Sequence, residues 1–392
     1  MMSASNAQPL TILAIEPVFA DFRHATVNAY LLRALALASG SARIVFAAHP
    51  DHYAEVLTAA PGLADRIEFR PIDVVPPGGI TFTRFRFHAR ALLRGVDAVQ
   101  ANCVICLGMT PETLFACGVL RLRHPSLPVI AVLHGHLSHM VGWRSRDPRR
   151  RWFDHRSSLR AAAMAGIRFV VLEEYVKRAG LELGLLAGAQ CDVWLLPIAD
   201  GECVASPPPL RTSRLNLGFL GFARPEKGFD NFLALLAQAD ALGADWYDFS
   251  LVGSALASDY SDLPDRLIVV PGVADRTNYV AAVRSVDYAC IFLDNDTYRL
   301  TSSGSVIDAI AALRPMIGLE TSSTRAMFDG HRVGYFCRSM DELRGLIANR
   351  DALFDAVRYR EFQEGLLALR RGRTPAELAG PIGETIRTVM RR

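Results

Sequence analysis

Along the chain, short runs of unbroken apolar residues alternate with stretches in which apolar positions recur every three or four residues. In the first half the runs are LTILAIEP (10–17), ARIVFAAH (42–49), IEFRPIDV (67–74), DAVQANC (97–103), PVIAVLH (128–134), RFVVLE (168–173) and VWLLPI (193–198). Between them, ATVNAYLLRALALA (25–38) and PETLFACGVLRL (111–122) carry helical periodicity. Strands that are apolar on both faces and alternate with helices predict a parallel sheet covered on each side. The pattern breaks at ECVASPPPLRTSRLN (202–216), a stretch rich in proline and serine that reads as a linker.

Beyond the break the alternation resumes. NLGFLGF (216–222), YDFSLVG (247–253), RLIVVPG (266–272), VDYACIFL (286–293), PMIGL (315–319) and RVGYFC (332–337) read as strands. NFLALLAQADAL (231–242), SVIDAIAALR (305–314) and DELRGLIA (341–348) read as helices. The tail from Asp351 is helical by composition, with breaks expected near Gly372–Pro375 and Gly380–Pro381, and no internal repeat is visible. At roughly 100–200 residues per domain, 392 residues suit two domains. The expected division is a first Rossmann-like domain at 1–205 and a second at 206–375. A helix at 376–392 is expected to pack back on the first. Two doubly wound α/β domains are expected to take a ligand in a cleft at the C-terminal ends of their strands.

Composition narrows the function classes. With 51% apolar and 21% charged residues the chain is neither disordered nor fibrous. A net charge of +3, from 43 basic and 40 acidic residues, gives no case for a nucleic-acid binder. No apolar run reaches the roughly 18 residues of a membrane span, and MMSASNAQPL lacks the basic and apolar regions of a signal peptide, so a cytoplasmic location is expected. Seven scattered cysteines imply reduced thiols. The Cys103–Cys106 CxxC has apolar flanks and no second metal-binding pair, so it reads as two small buried residues. Only two of the basic residues are lysines, Lys177 and Lys227. Lys177 reads as a surface helix residue. A chain this biased to arginine draws attention to Lys227 as a site that needs a compact ammonium.

Lys227 lies in GFLGFARPEKGFDNFLALL (218–236), a buried strand followed by a turn, which contains Gly221, Arg224 and Lys227, and then a helix. Two cations ahead of a helix N-terminus form a site for a phosphate or diphosphate; the plainer reading is a solvated charged loop. YRLTSSGSVIDAIAALRPMIG (298–318) offers a second helix start, with Ser302, Ser303 and Gly304 before it and Asp308 one turn in. Backbone N–H groups and hydroxyls suit phosphate oxygens, and a carboxylate suits a pair of sugar hydroxyls. An N-cap with a dipole-matched Asp is the structural alternative.

GFARPEKG, LVG (251–253), SSGSVIDAIAALRPMIG and GHRVGYFCRSMDELRGLI (330–347), in this order and spacing, resemble the C-terminal half of GT-B glycosyltransferases, the family 4 retaining enzymes most closely. The resemblance runs over about 214–350. In the first half it is carried by VIAVLHGH and RFVVLEEYVKRAG. It implies two Rossmann-like domains, an acceptor domain at 1–205 and a nucleotide-sugar-binding domain at 206–375, and transfer of a sugar from a nucleoside-diphosphate sugar, the donor substrate, with no separate cofactor. It further implies a role in bacterial polysaccharide or glycolipid synthesis. Arg224 and Lys227 match the residues that grip the donor diphosphate, and Asp308 matches the acidic residue that holds the ribose. His134, with His136 in reserve, matches the histidine that faces the donor sugar. The family's other glutamate is replaced by Leu300, which leaves the backbone of Ser302–Gly304 to contact the sugar. EPVFADFRHATVN (16–28) stands where many members have a Gly-rich loop, with Arg23, His24 and Asn28 as candidates to face the cleft.

Asp294-Asn295-Asp296 has the look of a metal-binding DxD, but Arg224, Lys227 and helix dipoles already supply positive charge, so no metal is expected. RSRDPRRRWFDHRSSLR (144–160), beside Trp143 and containing Trp152 and Phe153, holds seven arginines, and FTRFRFHARALLRG (82–95) interleaves Phe and Arg. Such mixtures suit an anionic membrane surface or a pyrophosphate-linked acceptor, against the plainer reading of a solvated loop and an ordinary helix. The first of them would place the protein peripherally at the inner face of the plasma membrane, with a sugar or lipid-linked acceptor. The rival functions are a catalytically silent GT-B protein that binds nucleotide or a partner transferase, and a GT-B-fold nucleotide-sugar epimerase.

Overall fold

The computed structural model describes residues 10–75, 81–135, 137–138, 155–255, 260, 262–270 and 276–391. The chain forms two compact units. The first comprises Met1–Pro197, Leu300–Ser302 and Arg373–Arg392; the second comprises Ile198–Arg299 and Ser303–Gly372.

The first unit is built on a parallel sheet of β1 (Thr11–Ile15), β2 (Arg43–Ala48), β3 (Glu68–Pro71), β4 (Cys103–Cys106), β5 (Val129–Leu133), β6 (Arg168–Val171) and β7 (Cys191–Val193). Their order is β3-β2-β1-β4-β5-β6-β7. Every residue of β1 and β5 is buried, as expected of strands covered on both faces. The chain steps outward from β1 to β3 and then returns to pair β4 with the other edge of β1. The strand order therefore reverses between β1 and β4, the place where doubly wound sheets leave a crevice beyond their strand ends.

The run 97–103, expected as a strand, is divided. Residues 97–99 close the helix Thr81–Val99, Gln100 turns the chain with φ 53°, and β4 starts at Cys103. The apolar CVIC is what pairs with β1, so the buried tetrapeptide, rather than the polar residues before it, sets the register. Burial pushes the Cys103 thiol up to about 12, which fits an inert core residue.

The second unit carries β8 (Leu215–Ala223), β9 (Tyr247–Ala255), β10 (Leu267–Val270), β11 (Tyr288–Ile291), β12 (Met316–Leu319) and β13 (Gly334–Cys337) in the order β10-β9-β8-β11-β12-β13, again all parallel. Phe219, Phe229, Phe232 and Phe249 interlock at its centre with ring centroids 4.9–5.9 Å apart. The buried hydroxyls of Tyr247 and Tyr288 donate to the carbonyls of Ile347 and Leu353, which removes the cost of burying them.

The division between the units falls at 197/198 rather than at 205/206. The stretch 202–216 belongs to the second unit because its backbone is bonded there: Val204 N donates to Ala311 O, and the carbonyls of Val204 and Pro208 accept from Arg370 and Gln363. At the other end, the helix Pro375–Met390 belongs to the first unit and packs on the helix Ala25–Ala38. The break expected at Gly380–Pro381 does not occur. Pro381 sits inside the helix, where buried Leu378, Ile382 and Ile386 offset the proline's lost hydrogen bond. Among the described residues no helix is long and apolar enough to cross a membrane.

Where the chain returns to the first unit, Arg373 makes a two-pronged ion pair with Glu173, at 2.6 and 2.9 Å, and both residues are 5% exposed. Glu173→Ala removes the counter-charge of a buried guanidinium, and we expect it to cost about 3 kcal/mol of stability in urea denaturation. Exchange of Lys177, an ordinary helix-surface residue, should leave the midpoint nearly unchanged.

Candidate functional site

In the second unit the strand order reverses between β8 and β11, and the turn after β8 carries the predicted cations. Gly221 adopts φ +88°, and a Cβ there would lie 3.0 Å from Lys227 Nζ and 3.2 Å from Ser305 Oγ. The glycine thus supplies both a backbone conformation that other residues resist and the room for the ammonium. Across from it in register, Gly253 lets β9 approach; a Cβ there would fall 1.9 Å from the Gly221 carbonyl. Pro225–Lys227 form a single 3₁₀ turn, and Gly228, at φ +70°, starts the helix Phe229–Ala241.

Lys227 Nζ donates to Ser305 Oγ at 3.1 Å, and Ser305 in turn donates to the carbonyl of Leu220 at 2.8 Å. Burial pushes the Lys227 ammonium down to about 8, with Asp308 opposing that fall and Arg224 adding to it. Arg224 itself is about half exposed, 3.7 Å from Glu226 and over the Phe222 ring.

Ser305 stands in the first turn of the helix Gly304–Ala311, whose N-cap is Ser303. Ser303 is 4% exposed, and among the described residues its hydroxyl neither caps the helix nor meets another partner. A buried hydroxyl without a partner is costly, and here it sits beside the free N–H groups of a helix start. Gly304 is exposed, while Leu300 is buried at 1% and Ser302 groups with the first unit.

Asp308 is held from two sides. Arg276 reaches one oxygen and the Tyr279 hydroxyl the other, both at 2.8 Å, and Arg276 also forks onto Glu202 at 2.6 and 2.7 Å. Burial acts against the Arg276 charge, but Asp308 and Glu202 outweigh it and hold the guanidinium firmly protonated. Arg276, Tyr279 and Glu202 had no signal in the sequence, because the helix that carries Arg276 and Tyr279, the turn that carries Glu202 and the helix that carries Asp308 are separate segments that only the fold assembles.

In the first unit, His134 follows β5, and its ring meets that of His24 edge-on at 4.1 Å. His24 is the left-handed N-cap of the helix Ala25–Ala38, at φ 62°. Arg23 clasps Asp21 at 2.9–3.0 Å. Asn28 does not face an opening. It is 2% exposed and donates to Glu16 at 3.1 Å and to His52 Nε2 at 3.0 Å. His52 Nδ1 lies 2.7 Å from the Asp21 carbonyl, so it must be the protonated nitrogen, and Nε2 accepts. Glu16 also accepts from the N–H groups of Val18 and Phe19. This buried relay at the end of β1 leaves one local trace in the sequence, a carboxylate directly after an apolar run.

Asp294 caps a short helix by accepting from Thr297 N, and Asn295 accepts from Ser322 and Ser323. Among the described residues no group of three or more His, Cys, Asp or Glu is placed to hold a metal ion. His136 and most of 144–160, with Trp143, Trp152, Phe153 and the arginines 149–151, lie outside the described residues.

The chain's structure is similar to that of sucrose-phosphate synthase from Thermosynechococcus elongatus, with a TM-score of 0.66 at 12% identity over 97% of this chain and 99% of that one. A glycosyltransferase from Rickettsia africae gives 0.64 at 11% identity, covering 98% of each chain. The UDP-GlcNAc 2-epimerase from Neisseria meningitidis bound to UDP-GlcNAc gives 0.59 at 11% identity, over 98% of this chain and 100% of that one. The fold is GT-B. No family model and no curated protein sequence matches the chain.

Within this GT-B chain, burial raises Glu16 from 4.5 to about 7. Between those values the folded form binds a proton that the unfolded form has lost, so this group's contribution to stability is highest below about 4.5 and falls as the pH rises to about 7. In urea denaturation at pH 5 and pH 8, the wild type should therefore lose stability at the higher pH by more than Glu16→Gln does.

Proposed function

We propose that the protein is a glycosyltransferase that moves a sugar from a nucleoside-diphosphate sugar to an acceptor. The observation that carries this reading is the meeting of Lys227 with the start of the helix Gly304–Ala311, 3.1 Å from Ser305, beside the partnerless Ser303 hydroxyl. A half-buried ammonium, helix N–H groups and an open hydroxyl together make a cradle for a diphosphate. Breaking the bond between sugar and diphosphate builds negative charge on the leaving group, and donors already in place stabilise that charge without reorganisation. Arg224 adds a second cation at the rim.

In this reading Asp308, steadied by Arg276 and Tyr279, accepts from the ribose hydroxyls through lone pairs its present partners leave open. His134 faces the donor sugar, and the backbone at Ser302–Gly304 contacts the sugar where Leu300 replaces a glutamate. The family 4 resemblance favours retention of configuration and a metal-independent reaction in polysaccharide or glycolipid synthesis.

A second reading, a nucleotide-sugar epimerase, draws on the likeness to UDP-GlcNAc 2-epimerases that span nearly the whole chain. Supplying UDP-GlcNAc alone separates the two: an epimerase converts the sugar without an acceptor, whereas a transferase needs one for fast UDP release.

We expect Lys227→Ala to weaken nucleoside-diphosphate binding by about 1.5–3 kcal/mol in calorimetry, and Arg224→Ala, being exposed, by about 1 kcal/mol or less. Unchanged affinity in Lys227→Ala overturns the assignment. Because an anion favours the charged ammonium, wild-type binding near pH 8 should take up to roughly half a proton from buffer, and affinity should fall as the pH rises further. EDTA should leave turnover unchanged; loss of turnover with recovery in manganese would move Asp294 and Asp296 into the site.

A further inference from the structure

The first unit has a cavity of about 200 Å³ at its own strand-order reversal, and of the candidate site residues only Arg23 lines it. Val18 and Phe19, after β1, and Thr110, after β4, form one side; Arg23, Arg84, His88 and Val75 complete it. This is where a doubly wound sheet presents loop ends and helix starts to a ligand. The volume lies below the roughly 300–1,000 Å³ typical of drug-sized sites, so it suits a single ring or chain end.

Its polar wall is built rather than incidental. Thr110 caps the helix Pro111–Arg123 and lies 3.1 Å from Thr113 Oγ1, which in turn meets His88 Nδ1 at 2.9 Å. That chain fixes the ring of a histidine only 1% exposed. Glu16, beneath the loop, holds the N–H groups of Val18 and Phe19 and so fixes the opposite wall. A Cβ at Gly108 would strike the Glu16 carboxylate, so the glycine before the Thr110 turn is what lets that brace fit.

Arg84 is the group left over. Its side chain is 21% exposed, and among the described residues it makes no hydrogen bond; its ion-pair partner Glu112 stands 3.5 Å away. Glu112 offsets the charge from one side only, and the N–H donors of the rigid fork that make no hydrogen bond border the cavity. The Arg84 charge reaches across it: burial first, and then this guanidinium, push His88 down to about 4, so the imidazole stays neutral. Arg23, in the same wall over the Phe19 ring at 5.4 Å, is already clasped by Asp21, which leaves Arg84 as the guanidinium with no hydrogen bond among the described residues. A fork of this kind matches the paired oxygens of a phosphate or carboxylate, while Thr110 and His88 suit hydroxyls.

We propose that this cavity is the acceptor site and that it takes a small hydroxylated molecule bearing one phosphate or carboxylate, with Arg84 as the residue that selects the anion. Its role as acceptor site rests on the transferase reading above; its selectivity for an anion does not.

Phosphate also fits the Lys227 cradle, so calorimetry is best done on the full chain carrying Lys227→Ala, with glucose 6-phosphate, glucuronate and glucose as probes. We expect one or both anions to bind and glucose to bind at least tenfold more weakly, with the preferred anion telling phosphate from carboxylate. Adding Arg84→Gln should cut the affinity for the bound anion by roughly tenfold or more. Arg84→Lys, which keeps the charge but loses the fork, should fall in between and serves if the Gln variant does not fold. Binding of glucose as tight as that of the anions, no binding of either anion at millimolar concentration, or indifference to both Arg84 variants overturns the proposal. Wild-type binding of UDP is measured alongside. If UDP binds and the anions do not, only the cavity proposal falls; if the anions bind and UDP does not, the transferase reading falls and the cavity remains an anion site.

Discussion

In each unit a parallel sheet grows outward from its first strand, then returns to build on that strand's other edge. Neighbouring crossovers on the two sides of this reversal leave in opposite directions, so no helix covers the strand ends between them. Loop ends and helix starts with free N–H groups gather there. The Lys227 cradle occupies the reversal between β8 and β11, and the Arg84 cavity the one between β1 and β4. Both groups of polar side chains depend on that topological gap.

Keeping such a gap open while the sheet beneath it stays packed requires particular residues. Gly221 and Gly253 let two strands close up while leaving room for an ammonium: a Cβ at Gly253 would collide with the Gly221 carbonyl, and one at Gly221 would crowd Lys227 in a backbone conformation that other residues resist. In the first unit the same task falls to a buried carboxylate: Glu16 satisfies two loop N–H groups and anchors Asn28 and His52 in a one-way relay. Both solutions carry a cost, since a lysine and a glutamate are displaced from their ordinary titration ranges by burial. Perturbed groups of this kind cluster where binding or catalysis takes place.

Buried polar contacts also set the limits of the units. The fork between Arg373 and Glu173 ties the returning chain to the first unit, and Trp194 donates to Thr385 in the helix that follows. In the second unit, Arg276 draws Glu202 and Asp308 together, so the proline-rich segment that looks like a linker is bonded into its neighbour.

Local sequence by itself determined the elements and their order. Apolar runs such as TILAI and VIAVL can be buried only as central strands, and a helix start after Thr110 or Ser303 is written in the residues around it. It also pointed to Lys227, through rarity and position. Tertiary structure alone decided which side chains share a site. Arg276, Tyr279 and Glu202 meet Asp308 from distant segments, and Arg84, on a helix that reads as an ordinary amphipathic face, becomes a wall of a cavity only when β1 and β4 pair. Periodicity records which face of an element is buried; it holds no record of which other element's polar atoms lie across from it. The end of the 97–103 run and the unbroken helix at Pro381 turned on the same point, because long-range packing outweighed local propensity at both.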